Sequence, residues 1–200
     1  MLATAASAQT ITIAALGDSL TQGYGLPQEE GFVPTLREWL AAHDADVDLI
    51  NAGVSGDTTA GGLSRVDWTL TPEVDAMIVA LGGNDVLRGI DPETSRINLD
   101  GILARAEEAG VEVLLVGIST PGNYGAEYRD AFDSIYTGLS EEYDTLLVPD
   151  FLGALARMGD RRAAMADFMQ GDGIHPNAAG VDRIVAEIGP EVLKLIDRAR

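Results

Sequence analysis

The stretch of sequence that decides the fold is residues 74–85, VDAMIVALGGND. Every side chain from residue 76 to residue 81 is apolar, and the chain then changes abruptly to Gly82-Gly83-Asn84-Asp85, a composition typical of turns. A short run that is apolar at every position suits a parallel strand covered on both of its faces. The pattern therefore predicts a buried strand that ends in a polar turn.

Four more apolar runs alternate with segments whose apolar residues recur at helical spacing. The runs that predict strands are residues 11–16, 47–51, 111–118 and 145–148. The predicted helices are residues 32–40, 58–70, 92–109 and 124–143, and a final helix that has Pro176 at its first position and runs to about Arg198. This alternation predicts an α/β fold with a parallel sheet and helices on both faces. Because residues 10–200 contain no linker and no internal repeat, we expect them to form one domain.

The composition excludes several classes of protein. The chain has 200 residues, of which 46% are hydrophobic and 22% charged, and it has no cysteine; wholesale disorder, disulfides and thiolate zinc sites are therefore excluded. The formal net charge of −19 would repel phosphate backbones, so no nucleic-acid partner is expected. No apolar run reaches the roughly 18 residues needed to span a bilayer, so no membrane span is expected. The sequence contains no feature that indicates an oligomeric state.

The first nine residues include Ala6-Ser7-Ala8, which has the small-x-small form of a signal-peptidase site. The charged and apolar regions of a full signal peptide are missing. Residues 1–9 are therefore interpreted either as the remnant of a signal peptide or as a flexible tail. The first interpretation predicts a periplasmic or secreted protein.

Polar turns follow the predicted strands. Gly17-Asp18-Ser19-Leu20-Thr21 follows the first strand, residues 51–58 (NAGVSGDT) follow the second, and Gly82-Gly83-Asn84-Asp85 follows the third. Asp172-Gly173-Ile174-His175-Pro176 comes after the fifth. Taken alone, each turn is more simply explained as a helix cap or a tight turn than as part of a functional site. Ligands of parallel sheets nevertheless bind at the carboxyl ends of the strands, so these turns are where chemistry is expected.

The chain has only two histidines, and their surroundings differ. His43 stands beside Asp44 at the end of a predicted helix. The simplest interpretation is that its side chain is exposed to solvent there. His175 lies in a turn, and Asp172 three residues earlier is placed to hold one ring nitrogen and leave the other as a base. A metal site is poorly supported, because no further His or Glu stands at ligand spacing.

Together the four turns supply a complete set of the groups that acyl transfer requires: a nucleophile, a base with its orienting partner, and donors for the oxyanion. Ser19 provides a hydroxyl, and His175 with Asp172 provides a base and its orienting partner. Gly56 has no Cβ, so its N–H can approach a substrate closely, and the Asn84 amide donates hydrogen bonds without carrying charge. Preorganised donors of this kind stabilise a tetrahedral oxyanion.

These four turns resemble the motifs of the SGNH (GDSL-type) serine hydrolases, and within them the thioesterase I, arylesterase and lysophospholipase branch. The motifs are Gly17-Asp18-Ser19-Leu20, Gly53-Val54-Ser55-Gly56-Asp57-Thr58, Gly82-Gly83-Asn84-Asp85 and Asp172-Gly173-Ile174-His175-Pro176, in the family's order over most of the chain. The resemblance implies a three-layer, flavodoxin-like sandwich whose five parallel strands have the order 2-1-3-4-5. It also implies an enzyme that needs no cofactor and no metal.

The resemblance assigns roles to individual residues. Ser19 would be the nucleophile, His175 the base and Asp172 its partner, while the N–H groups of Ser19 and Gly56 and the Asn84 amide would form the oxyanion hole. Substrate contacts are expected from seven further positions: Asp18, Leu20, Asp85, Val86, Thr120, Pro121 and Ile174. Thr120 stands where the branch usually has an aliphatic residue, so the resemblance does not extend to a long-chain preference.

The expected function is therefore hydrolysis of carboxylic esters with short to medium acyl chains, in the manner of an arylesterase, on a small-molecule ester or lipid. Lysophospholipase, acyl-CoA thioesterase and carbohydrate O-deacetylase activities are the alternatives within the same chemistry. A non-catalytic flavodoxin-like binding module is the alternative of a different class. An α/β-hydrolase is not supported, because the chain has no G-x-S-x-G motif.

Overall fold

A five-stranded parallel sheet forms the centre of the molecule, in a computed structural model that describes residues 10–120 and 122–200. The strands are β1 (Ile11–Gly17), β2 (Val47–Gly53), β3 (Ala76–Ala80), β4 (Glu112–Val116) and β5 (Leu146–Val148). They lie in the order β2-β1-β3-β4-β5, and every neighbouring pair is parallel. The predicted fold class and strand order are confirmed, whereas the prediction for residues 1–9 lies outside the described residues.

Helices cover both faces of this sheet. They are α1 (Ser19–Gln22), α2 (Phe32–Ala41), α3 (Thr59–Thr69), α4 (Gly83–Arg88), α5 (Pro92–Ala109), α6 (Ala126–Glu142), α7 (Gly153–Ala156), α8 (Arg161–Phe168) and α9 (Ala178–Arg198). Short 3₁₀ turns at Gln28–Glu30 and Gly122–Tyr124 connect some of them. In the described part of the chain, no helix is both long enough and apolar enough to cross a membrane.

Alternate residues of β1, β3 and β4 enter two separate hydrophobic cores, whereas β2 at the edge of the sheet contributes to only one of them. In β3, Ile78 packs with the core under α2, α7 and α9, while its neighbours Met77 and Val79 pack with the core under α3, α5 and α6. Because both faces are covered, all five residues of β3 are buried. This explains why the sequence shows a continuous apolar run here instead of an alternating one.

The direction of chain crossover changes at β1. The chain passes from β1 to β2 on one side and then returns to place β3 on the other side of β1. In open α/β sheets a crevice forms beside the carboxyl ends of the strands at such a reversal. The turn that follows β1 therefore opens onto this crevice.

Several local predictions need correction. α7 and α8 lie between β5 and the His175 turn, in a stretch for which the sequence predicted no element. Pro176 is not the first residue of the last helix, because Asn177 is the N-cap and α9 begins at Ala178. The predicted helix 124–143 begins two residues later, so Tyr124 lies outside it and is exposed.

Gly53, at the end of β2, lies directly against the first helix. A Cβ built on Gly53 would stand 2.8 Å from the Cα of Gln22 and 2.9 Å from the carbonyl oxygen of Asp18, both of which are backbone atoms. Since backbone cannot move aside as a flexible side chain can, this glycine fixes how closely the turns after β1 and β2 approach each other.

We expect Gly53→Ala to lower the free energy of unfolding by about 1–3 kcal/mol, the usual cost of overpacking. The matched control is Gly138→Ala, since Gly138 is an exposed residue of α6 whose added Cβ would meet nothing within 4 Å. That change should instead stabilise the protein by about 0.5–1 kcal/mol through helix propensity. Denaturant unfolding measures both, and equal effects of the two substitutions would contradict the close approach at Gly53.

Candidate active site

Ser19 is the first residue of α1, two residues after β1 ends. Asp18 is the N-cap of this helix, and its Oδ1 accepts a hydrogen bond of 3.0 Å from the backbone N–H of Leu20. The helix ends after one turn at Gly23, whose φ of 87° lies in the left-handed region that favours glycine. The short helix therefore holds Ser19 at the carboxyl edge of the sheet.

The structure brings Ser19, His175 and Asp172 into one chain of contacts. Nε2 of His175 lies 2.9 Å from Oγ of Ser19, and Nδ1 lies 2.6 Å from Oδ2 of Asp172. An ionised carboxylate can only accept hydrogen bonds, so Nδ1 carries the proton and Nε2 is left to accept one from the serine hydroxyl. This is the protonation pattern that general-base activation of a serine requires.

Asp172 is ionised at neutral pH. Hydrogen bonds from the His175 ring and from the backbone N–H groups of His175 and Ile174 lower its pKa from 3.8 to about 2. The two backbone bonds, 3.0 Å and 2.9 Å long, both reach Oδ1 and leave Oδ2 for the ring. The turn thereby fixes the carboxylate before it contacts the imidazole.

Two residues that the sequence analysis missed hold His175 in place. Nε2 of Gln170 donates to the carbonyl oxygens of Tyr24 (2.8 Å) and Pro176 (2.9 Å), and the backbone N–H of Gln170 donates to the carbonyl of His175 (2.8 Å). The Tyr24 ring lies 4.7 Å from the His175 ring. Gln170 thus ties the histidine turn to the loop after α1, a link between distant residues that no local sequence pattern reveals.

Gly56 lies in a tight turn after β2. Its φ of 84° is in the left-handed region, where a residue with a Cβ would be strained. The N–H of Asp57 donates to the carbonyl of Val54 across the turn, and Nη2 of Arg88 donates to the carbonyl of Gly56 at 2.8 Å. Positive φ is therefore the structural reason for a glycine at this position.

Asn84 lies in the first turn of α4 and connects the loop after β1 with the loop after β2. Its Nδ2 donates to the carbonyl of Asp57 at 2.9 Å and to Oδ2 of Asp18 at 3.2 Å. The Asn84 amide therefore lies between the residue before the serine and the residue after Gly56. The turns that follow β1, β2 and β3 meet at this amide.

Asp85 and Val86 are corrections to the predicted substrate contacts. Asp85 is fully buried, and its carboxylate accepts from the N–H (2.9 Å) and hydroxyl (2.6 Å) of Thr59 and from the hydroxyl of Ser95 (3.0 Å). It fastens α4 to the first turns of α3 and α5 and is closed to a substrate. Val86 is 3% exposed and packs in the core under α3, α5 and α6.

The remaining predicted contact residues divide by exposure. Asp18 and Thr120 are buried, so neither presents its side chain to solvent. Leu20 is half-buried against the core under α2, and Ile174, next to His175, is 45% exposed. The prediction for Pro121 lies outside the described residues. No three acidic or histidine side chains among residues 10–120 and 122–200 stand close enough to hold a metal ion.

Asp18 is the second aspartate of the site with an altered pKa, and its pKa is raised, whereas that of Asp172 is lowered. Burial raises its pKa from 3.8 to about 6, although hydrogen bonds from Leu20 and Asn84 and the nearby His175 oppose the change. In the unfolded chain the same carboxyl ionises near 3.8. Between these values the folded form keeps a proton that the unfolded form has lost, so raising the pH through this window destabilises the fold.

Asp18→Asn should therefore remove a pH-dependent loss of stability. A pKa difference of this size corresponds to about 3 kcal/mol, so between pH 4 and pH 7 the wild type should lose up to that amount relative to the variant. The measurement is denaturant unfolding at several pH values. Asp91→Asn, which alters the exposed N-cap of α5, controls for the amide itself. A pH-independent difference between wild type and Asp18→Asn would contradict the assignment.

Comparison with known proteins places this geometry in a family. The model of the GDSL-like Lipase/Acylhydrolase family matches residues 15–183. Esterase TesA of Pseudomonas aeruginosa is 38% identical over 98% of this chain and 94% of its own length. An arylesterase of Vibrio mimicus is 34% identical over 95% and 92% of the two chains. An Escherichia coli K12 protein named thioesterase 1/protease 1/lysophospholipase L1 is 37% identical over 86% and 78%.

The fold is shared as well. A crystal structure of TesA superimposes with a TM-score of 0.83 at 37% identity, covering 92% of this chain and 99% of that one. The resemblance drawn from the four motifs is thus confirmed by matches that extend far beyond the motifs. The chain belongs to the GDSL-like lipase/acylhydrolase family and is a serine esterase.

Proposed function

We propose that Ser19 is the nucleophile of this esterase, with His175 as its base and Asp172 as the partner of the histidine. The observation that carries the proposal is the pair of contacts on one imidazole ring, 2.9 Å to the Ser19 hydroxyl and 2.6 Å to the Asp172 carboxylate. A serine hydroxyl is a weak nucleophile at neutral pH, and a neighbouring base that removes its proton activates it.

The oxyanion hole of this proposal consists of the backbone N–H groups of Ser19 and Gly56 and the Asn84 amide. When Ser19 attacks an acyl carbonyl, the carbonyl oxygen becomes negatively charged and needs donors already in place. Asn84 donates at present to Asp18 and Asp57. The longer of these bonds, to Asp18, is the one that the oxyanion would replace, while the bond to Asp57 keeps the amide oriented.

Turnover follows from the same groups. His175 takes the proton of Ser19 during attack and then gives it to the leaving alcohol, so that an acyl-serine remains. Water next attacks the acyl carbonyl, with His175 as the base, and the proton returns to Ser19 as the acid departs. Asp172 stays ionised throughout and stabilises the charged imidazolium, in agreement with its lowered pKa.

The surroundings of Ser19 support an apolar substrate. Six of the large hydrophobic side chains exposed in the described part belong to the turns and helices that follow β1, β2 and β3, to the His175 turn, or to segments that contact these: Tyr24, Val54, Leu87, Tyr124, Met165 and Ile174. Exposed apolar side chains in such positions favour the binding of apolar groups. We propose carboxylic esters with short to medium acyl chains and aryl or small alkyl alcohols as the substrate class, as in the Vibrio mimicus arylesterase.

Lysophospholipids are the second candidate substrate class and acyl-CoA thioesters the third, because the name of the Escherichia coli relative includes both thioesterase and lysophospholipase. The formal charge of −19 disfavours polyanionic coenzyme A as a ligand. Carbohydrate O-deacetylation is tested by acetate release from acetylated xylan.

We further propose that residues 10–200 form one domain, which the match over residues 15–183 supports. We also propose that Ala6-Ser7-Ala8 reflects a periplasmic or secreted enzyme.

Asn84→Ala should lower kcat about 10²-fold or more and leave KM little changed, because the lost donor acts mainly on the transition state. Steady-state kinetics on a p-nitrophenyl ester, with the melting temperature of the variant measured beside it, checks this. An unchanged kcat in a folded variant would remove Asn84 from the oxyanion hole.

The experiment that tests the function as a whole is hydrolysis of p-nitrophenyl esters from C2 to C16 by the wild type and by Ser19→Ala. We expect activity only in the wild type, with an optimum among the shorter chains. A long-chain optimum would favour the lysophospholipase or thioesterase alternative.

Stoichiometric labelling by a fluorophosphonate completes this test, since it forms a Ser–O–P bond and releases fluoride only at an activated serine. A wild-type protein that is neither labelled nor active would overturn the nucleophile assignment and favour the binding-module alternative. Labelling without ester hydrolysis would keep the nucleophile and overturn the substrate class.

A further inference from the structure

Arg65 of α3 reaches under the strand ends and makes three hydrogen bonds there. Its Nε donates to Oδ2 of Asp57 at 2.6 Å, its Nη1 to the carbonyl of Ala52 at 2.7 Å, and its Nη2 to the carbonyl of Gly17 at 2.9 Å. The Arg65 and Asp57 side chains are only 23% and 19% exposed. The ion pair is therefore largely shielded from solvent and fixed in direction, unlike a surface pair.

Each of the three acceptors adjoins a different part of the proposed catalytic machinery. Gly17 is the last residue of β1, two positions before Ser19, and its carbonyl also accepts from the N–H of Val54. Ala52 is the penultimate residue of β2, immediately before the turn that presents Gly56. Asp57 closes that turn, and its carbonyl oxygen accepts the Asn84 amide.

We infer that Arg65 is a positioning residue for the oxyanion hole. Its planar guanidinium links the end of β1, before the Ser19 turn, to the Gly56 turn, and through Asp57 it holds the acceptor that orients Asn84. This inference rests on the oxyanion hole proposed above. The partners of Arg65 are Asp57, Ala52 and Gly17, so it acts only through the groups that it holds.

An arginine suits this task because three different nitrogens of one guanidinium each donate to a separate acceptor. The guanidinium carries five N–H groups in a rigid fork, whereas a lysine ammonium is a single point on a flexible stem. A lysine at this position would keep the charge opposite Asp57 but would not hold both carbonyls. A small displacement is enough to matter, since misplacement of about 1 Å can cost about 10²-fold in rate.

The test compares Arg65→Met and Arg65→Lys with the wild type on the p-nitrophenyl ester that the wild type hydrolyses fastest. The active-site concentration is counted by fluorophosphonate labelling carried to completion, and each variant is assayed well below its own melting temperature. We expect Arg65→Met to lower kcat per labelled serine about 10-fold or more, with KM within about twofold of the wild-type value. The kcat per labelled serine of Arg65→Lys should lie between those of Arg65→Met and the wild type. The affinity of a boronic acid inhibitor, which forms a tetrahedral adduct with the serine oxygen, should fall by the same factor as kcat.

Arg105→Met is the matched control. Arg105 also pairs with an aspartate of α3, Asp67, at 3.5 Å, but both side chains are more than half exposed and distant in sequence from the strand-end turns. This variant removes an arginine and an ion pair at the α3–α5 contact without touching the turns. Its kcat per labelled serine should equal that of the wild type.

A double-variant cycle shows whether Arg65 acts through Asp57. Asp57→Asn keeps an oxygen acceptor and the carbonyl that Asn84 uses, so it perturbs the pair mildly. If the inference is right, adding Asp57→Asn to Arg65→Met should cost less than the two single losses multiplied, because both remove the same link. Fully multiplicative losses would overturn the route through Asp57.

The inference as a whole fails if kcat per labelled serine in Arg65→Met stays within about twofold of the wild type while only the melting temperature falls, because that is the signature of a purely structural ion pair. If Arg65→Met does not fold, the same criterion applied to Arg65→Lys decides. An unlabelled, inactive wild type would instead defeat the proposed function, so the two failures are distinguishable.

Discussion

Parallel alignment of the five strands is the constraint on which the site depends. Every carboxyl end lies at the same edge of the sheet, so the turns after β1, β2 and β3 converge even though Ser19, Gly56 and Asn84 are far apart in the chain. The sheet can keep this geometry because two separate cores bury both of its faces. Catalytic side chains on such turns inherit the rigidity of the strands that carry them.

The two aspartates of the site show how surroundings decide ionisation. Asp172 is exposed and receives three hydrogen bonds, which stabilise its charge and lower its pKa to about 2. Asp18, only 2% exposed, receives two hydrogen bonds, but the loss of hydration outweighs them and raises its pKa to about 6. Beside His175 there is thus one carboxylate that stays charged and another that titrates within the acidic range.

Local patterns in the sequence predicted what local physics determines. The apolar run 76–81 predicted β3, and Asp91-Pro92 predicted the start of α5, because burial on both faces and helix capping leave traces in adjacent residues. The short helices α7 and α8 were missed, since they contribute few core residues. Asp85 was expected to contact substrate from its place in the third family motif, but the structure buries it. Its burial depends on Thr59 and Ser95, which only the folded chain brings near.

The contact between Ser19 and His175 joins residues that are 156 positions apart in the chain. During synthesis, Ser19 therefore leaves the ribosome long before His175 has been added to the chain. With the proposed nucleophile and base, hydrolysis requires a chain that already includes both the first strand and the His175 turn. Recovery of activity after denaturation should consequently report the closure of this loop of 156 positions, and long-range contacts of this kind slow folding.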